Sequence, residues 1–570
     1  QPIQLSMEGL NEPAERSAAA VFVAKGRPPE LIVYDAKSGA SSYPILEPKL
    51  WFAVDFQGPR KPVAKAERSN TGGVGADVEV ARGVQRFHVQ VGSGLGGAGR
   101  TSTRLFCGLA DATGVDYVRV LWPDAVLQIE KGMTPGTIHR LVELERKPSS
   151  CPILFAWTGA SCDFVADFLG VGGLGYFETP GVYSKPDPSE YVLLPALQPK
   201  DGSYLLDVLE PLEECTYLDE LKLTVVDHPA DVTVVPDEMF AVRGPAPGFR
   251  LLAFREKAFA RSAHNDQGRD VTEKLERVDR QYGNSVRRDA RFPGLALATH
   301  WIDLDFEDAI SPLLARGAAS RPHLILHGYV EYGYSTSNFA AWQAGAEFRA
   351  PTVLALRAGK WEPLRVEWGF PGGYPRYMAV DLTGALTSAD RRLRVETNLD
   401  VHWDQAFLAD ASVEELEITD VEASVAALGF RGFPPEESPD GSHPRVYVYR
   451  DFVPESPYRS FPGNYTRYGD VRELLRTADD RFAILGPGDG LRFEVSADRL
   501  PPLRPGWKRT FFAKAFGYCK DTDLYTAHPD SIEPLPFQGM SGYPFAPAES
   551  IAPHEAQAPY VRDWNVRTVK

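Results

Sequence analysis

The chain reads as a mainly β protein made of several antiparallel β-sandwich domains, with a few short helices and a Pro-rich irregular C-terminal arm. Two observations lead there. Forty-seven prolines, fifty glycines and an aromatic content of 11% fit a loop-rich all-β chain better than a helical bundle. Apolar and polar residues also alternate with period two over 76–80, 87–91 and 115–121, the pattern of half-buried strands. A length of 570 residues is too great for one ordinary core, so two to four domains are expected.

In chain order, residues 1–45 carry candidate strands at 18–23 and 30–34 around the turn Gly26-Arg27-Pro28-Pro29, and read as the end of an upstream domain or a small cap. A β-domain over 46–147 opens with Leu50-Trp51-Phe52-Ala53-Val54-Asp55-Phe56. Its Gly72, Gly73 and Gly75 suit positive φ or close approach to a neighbouring strand.

A second β-domain over 148–240 begins with a hairpin, 153–157 and 162–168, turning at Thr158-Gly159-Ala160-Ser161. A glycine-rich loop at 170–175 follows, then strands at 191–195, 204–209, 221–226 and 232–235, the last two joined by Asp227-His228-Pro229-Ala230-Asp231. Residues 241–299 form a linker in which apolar positions 271, 275, 278 and 282 predict an amphipathic helix, N-capped by Asp270 with Glu273 three residues on.

A sandwich with aromatic loops spans 300–427, with strands at 324–329, 352–356, 361–368, 377–381 and 393–398. The Pro- and aromatic-rich region 428–570 holds a strand at 445–450 and a short capped helix at 470–476. From 520 onward the tail is expected to wrap over the domains as an ordered arm, since its aromatic content argues against disorder.

One stretch carries a resemblance. Ser69-Asn70-x-x-Gly73-x-Gly75-Ala76-x-Val78, Gly92-Ser93-Gly94, Phe106-x-Gly108-Leu109-Ala110 and Val115-Asp116-x-Val118-x-Val120-x-Trp122-Pro123 closely resemble the ASPIC/UnbV domain of cartilage acidic protein-like families. That resemblance implies an extracytoplasmic protein, periplasmic, cell-surface or secreted, in which a β-propeller of FG-GAP/VCBS type precedes the domain. The remainder resembles the long C-terminal extension of a bacterial subset, through Ser150-Cys151-Pro152-x-Leu154-x-Ala156-Trp157, Asp219-x-x-x-Leu223-x-x-x-Asp227-His228-Pro229 and Tyr465-Thr466-Arg467-Tyr468-Gly469-Asp470-Val471. The chain begins at Gln1 with no basic or apolar leader, so an upstream segment or domain is expected to precede it.

The formal net charge of −16 is spread along the chain. It disfavours nucleic acid as a partner and suits solubility and divalent cations. No apolar run reaches the length of a membrane span. The five cysteines, Cys107, Cys151, Cys162, Cys215 and Cys519, form no CxxC pair, and their odd count leaves a thiol unpaired. A tight turn in the first hairpin puts Trp157, not Cys151, opposite Cys162, which disfavours a bridge between those two cysteines. Cys151 with Cys215 is a candidate pair in an oxidising compartment, weighed against buried free thiols.

Candidate sites fall in four places. Tyr332, Tyr334, Trp342, Trp368, Tyr374 and Trp403, with Asn338, Gln343, Asn398 and Gln405 nearby, offer the flat aromatic faces and amides that a sugar ring needs, and equally the makings of a core or interface. His402 and Asp404, with Glu396 or Asp400, or the pair Asp303 and Asp305, could serve acid–base chemistry. Asp227, His228 and Asp231, or Asp521 and Asp523 with calcium, could grip a metal, although turns contain the same residues. The G-x-G-x-x-G at 94–99 lacks the following helix that a dinucleotide site needs.

Two readings result. The first is a non-enzymatic binding or scaffold protein presenting loops to a protein or glycan partner, within a larger envelope or extracellular assembly. The alternative is an enzyme acting on a glycan or secondary metabolite through the loops of 330–405.

Overall fold

The computed structural model describes residues 16–22, 30–35, 39–44, 50–58, 69–92, 103–110, 113–123, 127–130, 132–143, 152–289, 291–438, 443–454 and 461–570. It is mainly β, and the chain divides into two compact units, Gln1–Arg146 and Lys147–Lys570. The G-x-G-x-x-G run and Cys151 lie outside the described residues.

In the first unit, Arg16–Phe22, Glu30–Asp35 and Gly39–Pro44 form an antiparallel meander. The next two sheets make a sandwich. One is centred on Leu50–Gln57, flanked antiparallel by Leu105–Ala110 and parallel by Ile138–Val142. The other runs Gln85–Gln90, Asp77–Arg82, Tyr117–Leu121, Leu127–Glu130. The inward positions of the alternating strands, Val78, Val80, Val118 and Val120, meet Phe52, Val54, Phe56 and Trp122 in one core. Gly73 lies at φ +64°, where an added Cβ would stand 2.8 Å from Phe56 Cβ and 2.9 Å from the Trp122 ring, so glycine is required there.

The second unit holds two sandwiches, one inserted into the other. In the outer one, a sheet in the order Cys162–Asp167, Ile153–Trp157, Ser203–Leu209, Asp489–Ser496, Val425–Phe430, Gly469–Asp470 packs on a second. That second sheet runs Ser189–Leu193, Trp507–Asp521, Glu214–Pro229, Glu417–Val421. Strands from before residue 230 and after residue 416 alternate in the second sheet, and in the first they meet where Ser203–Leu209 pairs with Asp489–Ser496, so the core of Phe155, Tyr217, Leu223, Phe482 and Phe493 closes only when the chain returns.

The inner sandwich pairs Ala258–Phe259, Val401–Asp410, Pro322–Val330, Arg376–Asp381 with a sheet of Ser262–Asn265, Leu295–Asp305, Arg392–Leu399, Thr352–Arg357, Lys360–Arg365. Its core includes Ile302, Leu326, Val353, Val380, Val395 and Trp403.

A two-stranded ribbon, Thr233–Pro236 with Leu251–Phe254, joins the two sandwiches through the period of a strand. Val235, Leu252 and Phe254 pack on Ile325, Ala379 and Phe407 of the inner one. The alternate positions Val234 and Ala253 pack with Val226 and Phe512 of the outer one.

Several elements differ from the sequence expectation. Asp227 and His228 sit inside the sixteen-residue strand Glu214–Pro229 rather than in a turn. The expected helix over 271–282 is a single 3-10 turn, Glu273–Leu275. Asp270 does accept from the Thr272 amide at 2.9 Å. Beyond the turn, the groups a helix would use internally go to the sheet: the Asp279 amide donates to Asp404 at 3.3 Å, the Glu276 carbonyl accepts from Gln405 at 2.7 Å, and the Gly283 amide donates to the Trp403 carbonyl at 2.8 Å. The aromatic loop at 332–343 contains a helix, Ser335–Gln343. The segment 401–405 is part of the strand Val401–Asp410, and the tail forms a helix, Ile551–Trp564, whose Tyr560 and Trp564 enter the outer core.

Candidate functional site

The aromatic residues singled out in the sequence are dispersed. Trp403 and Tyr374 are 1% and 2% exposed and belong to different sandwich cores. Trp368 packs against the inner core and donates its Nε1–H to the Ala379 carbonyl at 3.2 Å. The Tyr332 hydroxyl accepts from the Gly373 amide at 2.7 Å, and the Tyr332 ring packs 5.5 Å from Phe240. Tyr334 precedes the helix Ser335–Gln343. Trp342, on that helix, is exposed and lies beside Phe339 at 5.7 Å.

His402 and Asp404 lie on one strand with separate partners. His402 donates to Asp400 at 2.9 Å and stacks on Tyr329 at 4.8 Å. Behind it, Arg288 grips both Asp400 at 2.7 Å and Glu331 at 3.2 Å. Asp404 is fully buried, accepts the Asp279 amide, and has its Oδ2 3.6 Å from His327 Nδ1. A bulge opposite His327 and Gly328 turns Asp404 and Gln405 together toward the segment 276–283.

The candidate carboxylates of Asp227, Asp231, Asp303, Asp305, Asp521 and Asp523 have structural partners. Asp303 takes a bidentate pair from Arg394 at 2.7 and 2.9 Å, and Asp305 faces Arg392 at 3.4 Å. Asp227 is held by Arg509 through two bonds of 2.7 Å, while Asp231 pairs with Arg255. His228 bonds the Pro229 carbonyl and Thr510 hydroxyl. Asp523 caps the helix Ser335–Gln343 from a distant part of the chain, accepting the Thr336 amide at 3.1 Å and its hydroxyl. Asp521 accepts from Thr526 at 2.6 Å. Among the described residues no group of three or more His, Cys, Asp or Glu side chains is placed to hold a metal ion.

Two arrangements had no marker in the sequence. The first is buried where the sandwiches meet. Arg376 of the inner one donates to Glu190 at 2.7 Å and to the carbonyl and carboxylate of Asp167, both on the outer one. Glu238 lies in the same cluster, and burial pushes Glu190 up to about 7 and Glu238 up to about 8 against the pull of the arginine.

The second is an open groove of about 450 Å³ where Leu251–Phe254, the turn before Pro322–Val330 and the end of Val401–Asp410 converge. Arg250, Arg316, Arg321 and His323 line it with Ser412 and a single carboxylate, Glu414. Each cation is braced from behind. Arg250 pairs at 2.6 Å with the fully buried Asp237. Arg316 donates to the Ser412 hydroxyl and lies 3.9 Å from Asp410. Arg321 donates to the carbonyls of Ala318 and Ser320 at 2.8 and 3.1 Å. His323 is 8% exposed and gives its Nδ1–H to the Arg321 carbonyl at 2.9 Å, so Nε2 is the nitrogen left for a ligand. Burial lowers its pKa, with Asp381 and Asp410 pulling upward and Arg250 downward.

Cys107, Cys162 and Cys215 are free thiols, which removes Cys215 as a disulfide partner. Among the described cysteines, Cys519 is disulfide-bonded. The hairpin register sets Trp157 opposite Cys162.

Comparison with known proteins places one family on the chain. Residues 66–148 match the family described as ASPIC and UnbV, so the sandwich of the first unit carries an ASPIC/UnbV domain. No curated protein and no solved structure matches the chain. Among the described residues no helix is long and apolar enough to cross a membrane.

Proposed function

We propose that this protein is a non-enzymatic binding or scaffold protein working outside the cytoplasm, whose β-sandwiches hold a recognition surface for a protein or glycan partner. The observation that carries this reading is a contrast in how side chains are used. Most of the carboxylates, imidazoles and aromatic rings that chemistry would draw on serve structural partners or fill cores, as with Asp400, His402 and Trp403. Three arginines, braced by partners of their own, also stand along an open groove. A rigid β-framework that displays recognition groups at strand ends is a common way to build a binding protein. The disulfide-bonded Cys519 supports an oxidising compartment. A propeller supplied upstream and a place in a larger envelope assembly accord with the ASPIC/UnbV domain.

One observation favours the enzyme reading: Asp404 Oδ2 and His327 Nδ1 face each other at 3.6 Å, buried, and neither atom has a hydrogen-bond partner. The variant His402→Gln with Asp404→Asn separates the two. Wild type and variant are screened on a glycan array and, in parallel, incubated with the same glycans while products are followed by mass spectrometry. Equal array binding with no product from either supports the binding reading. Product formed by the wild type and lost in the variant overturns it.

A further inference from the structure

We propose that the groove of Arg250, Arg316, Arg321 and His323 binds a sulfate or phosphate monoester group carried on a sugar-sized ligand. The proposal rests on the binding reading above and names the chemistry of its ligand.

Charge comes first. The protein carries a net −16, yet this groove gathers three guanidiniums and an imidazole against one lining carboxylate, Glu414. The neighbouring Glu415 is spent on Arg255 at 2.9 Å. An acidic protein that concentrates cations on one concave surface draws anions to that surface.

Geometry selects the kind of anion. A planar carboxylate is satisfied by a single guanidinium fork. Here donors come from three separate chain segments: Arg250 before Leu251–Phe254, Arg316 and Arg321 on the turn preceding Pro322–Val330, and Ser412 after Val401–Asp410. Donors supplied by three segments around one groove suit a tetrahedral group with three free oxygens. The size fits as well, because about 450 Å³ is within the usual range for a small-ligand site, and Leu252 and Ala411 supply apolar surface for the carrier.

Preorganisation is the third argument. The braces on Arg250, Arg316 and Arg321 described above fix rotamers that binding would otherwise have to order. Arg316 and Arg321 are nonetheless exposed, so their outer N–H groups remain within reach of a ligand.

The test is isothermal calorimetry on the full chain. The probes are a glucosamine monosulfate, a glucose phosphate, inorganic sulfate, inorganic phosphate and glucuronic acid, at low and high salt. The double variant Arg316→Gln with Arg321→Gln removes two exposed side chains, and Arg562→Gln, 73% exposed in the C-terminal helix, controls for loss of charge alone. Melting temperatures verify that all three proteins are folded.

The expected result is binding of one or both esters ahead of glucuronic acid, weakened by high salt, and weakened roughly thirtyfold or more in the double variant but not in Arg562→Gln. Preference for the sulfated or the phosphorylated sugar identifies the source of the group. Binding of neither ester, binding that survives in the double variant, or glucuronic acid bound as well as the esters overturns the proposal. If the esters fail while glycan-array binding persists, only the groove assignment falls. If an ester is bound and then hydrolysed, releasing sulfate or phosphate, the groove stands and the non-enzymatic reading falls.

Discussion

Replacing Arg376 with methionine keeps most of the side-chain volume and removes the one cation in a buried cluster of three carboxylates. Arg376, Asp167, Glu190 and Glu238 are each less than 5% exposed, and Arg376 supplies three of the hydrogen bonds that tie one sandwich to the other. Removing one partner of a buried ion pair costs about 3–5 kcal/mol because the other charge is left uncompensated.

The sign of the pH dependence follows from the carboxyls. Glu190 and Glu238 have folded-state values of about 7 and about 8 against an ordinary 4.5. A carboxyl raised in this way favours the folded state most fully below its unfolded value, and that contribution is lost as pH rises through the folded value. The wild type therefore loses stability at this site between about pH 4.5 and pH 8. In Arg376→Met the loss is steeper, since only a proton can neutralise the cluster. The deficit relative to wild type is expected to be about 3–5 kcal/mol near pH 8 and below about 2 kcal/mol near pH 5. Urea unfolding followed by tryptophan fluorescence at both pH values measures it. A deficit that is equal at the two pH values, or below about 1 kcal/mol at the higher one, would refute the account of this cluster.

Other perturbations give simpler readouts. Asp523→Ala uncaps the helix Ser335–Gln343 and should cost about 1 kcal/mol; hydrogen exchange should quicken at 335–338, and unchanged exchange there contradicts the capping role. Gly517→Ala would set a Cβ 2.4 Å from the Tyr217 carbonyl oxygen between the two longest strands of the outer sandwich, at a cost of about 1–3 kcal/mol, visible as a lower melting temperature. Alkylation of the unfolded, unreduced chain should label Cys107, Cys162 and Cys215 but not Cys519. In the folded protein Cys162 should react first but slowly, because it is half-buried and burial raises its thiol pKa. Ester binding in the arginine groove should strengthen as pH falls below 6.5, because burial holds the His323 imidazole beneath that ordinary value and a bound anion favours its protonated form; His323→Gln should flatten that profile.

The sequence by itself determined what is local. Period-two alternation located strands such as Asp77–Arg82 and Tyr117–Leu121, and the tight turn between Trp157 and Cys162 set the register of the hairpin Ile153–Trp157 with Cys162–Asp167. The glycine-rich blocks marked the ASPIC/UnbV domain, because Gly73 stands where a side chain would strike Phe56 and Trp122.

The tertiary structure decided the rest. Residues 401–405, with aromatics, amides and carboxylates together, carry the composition of a loop, but they lie in a strand whose polar groups are met by 276–283, Asp400 and His327. Residues 271–282 carry a helical pattern that the backbone does not follow, because Asp404, Gln405 and Trp403 take up its amides and carbonyls. Helix Ser335–Gln343 begins with Ser-Thr-Ser-Asn, a poor start on propensity, and is capped by an aspartate 187 positions away. The arginine groove draws on 250–252, 316–323 and 411–414, and no spacing in the sequence links those segments. Turn chemistry and strand period act over a few residues and can be read along the chain. Which strand pairs with which, and which charges end up side by side, is fixed by burial and hydrogen bonding between segments hundreds of residues apart.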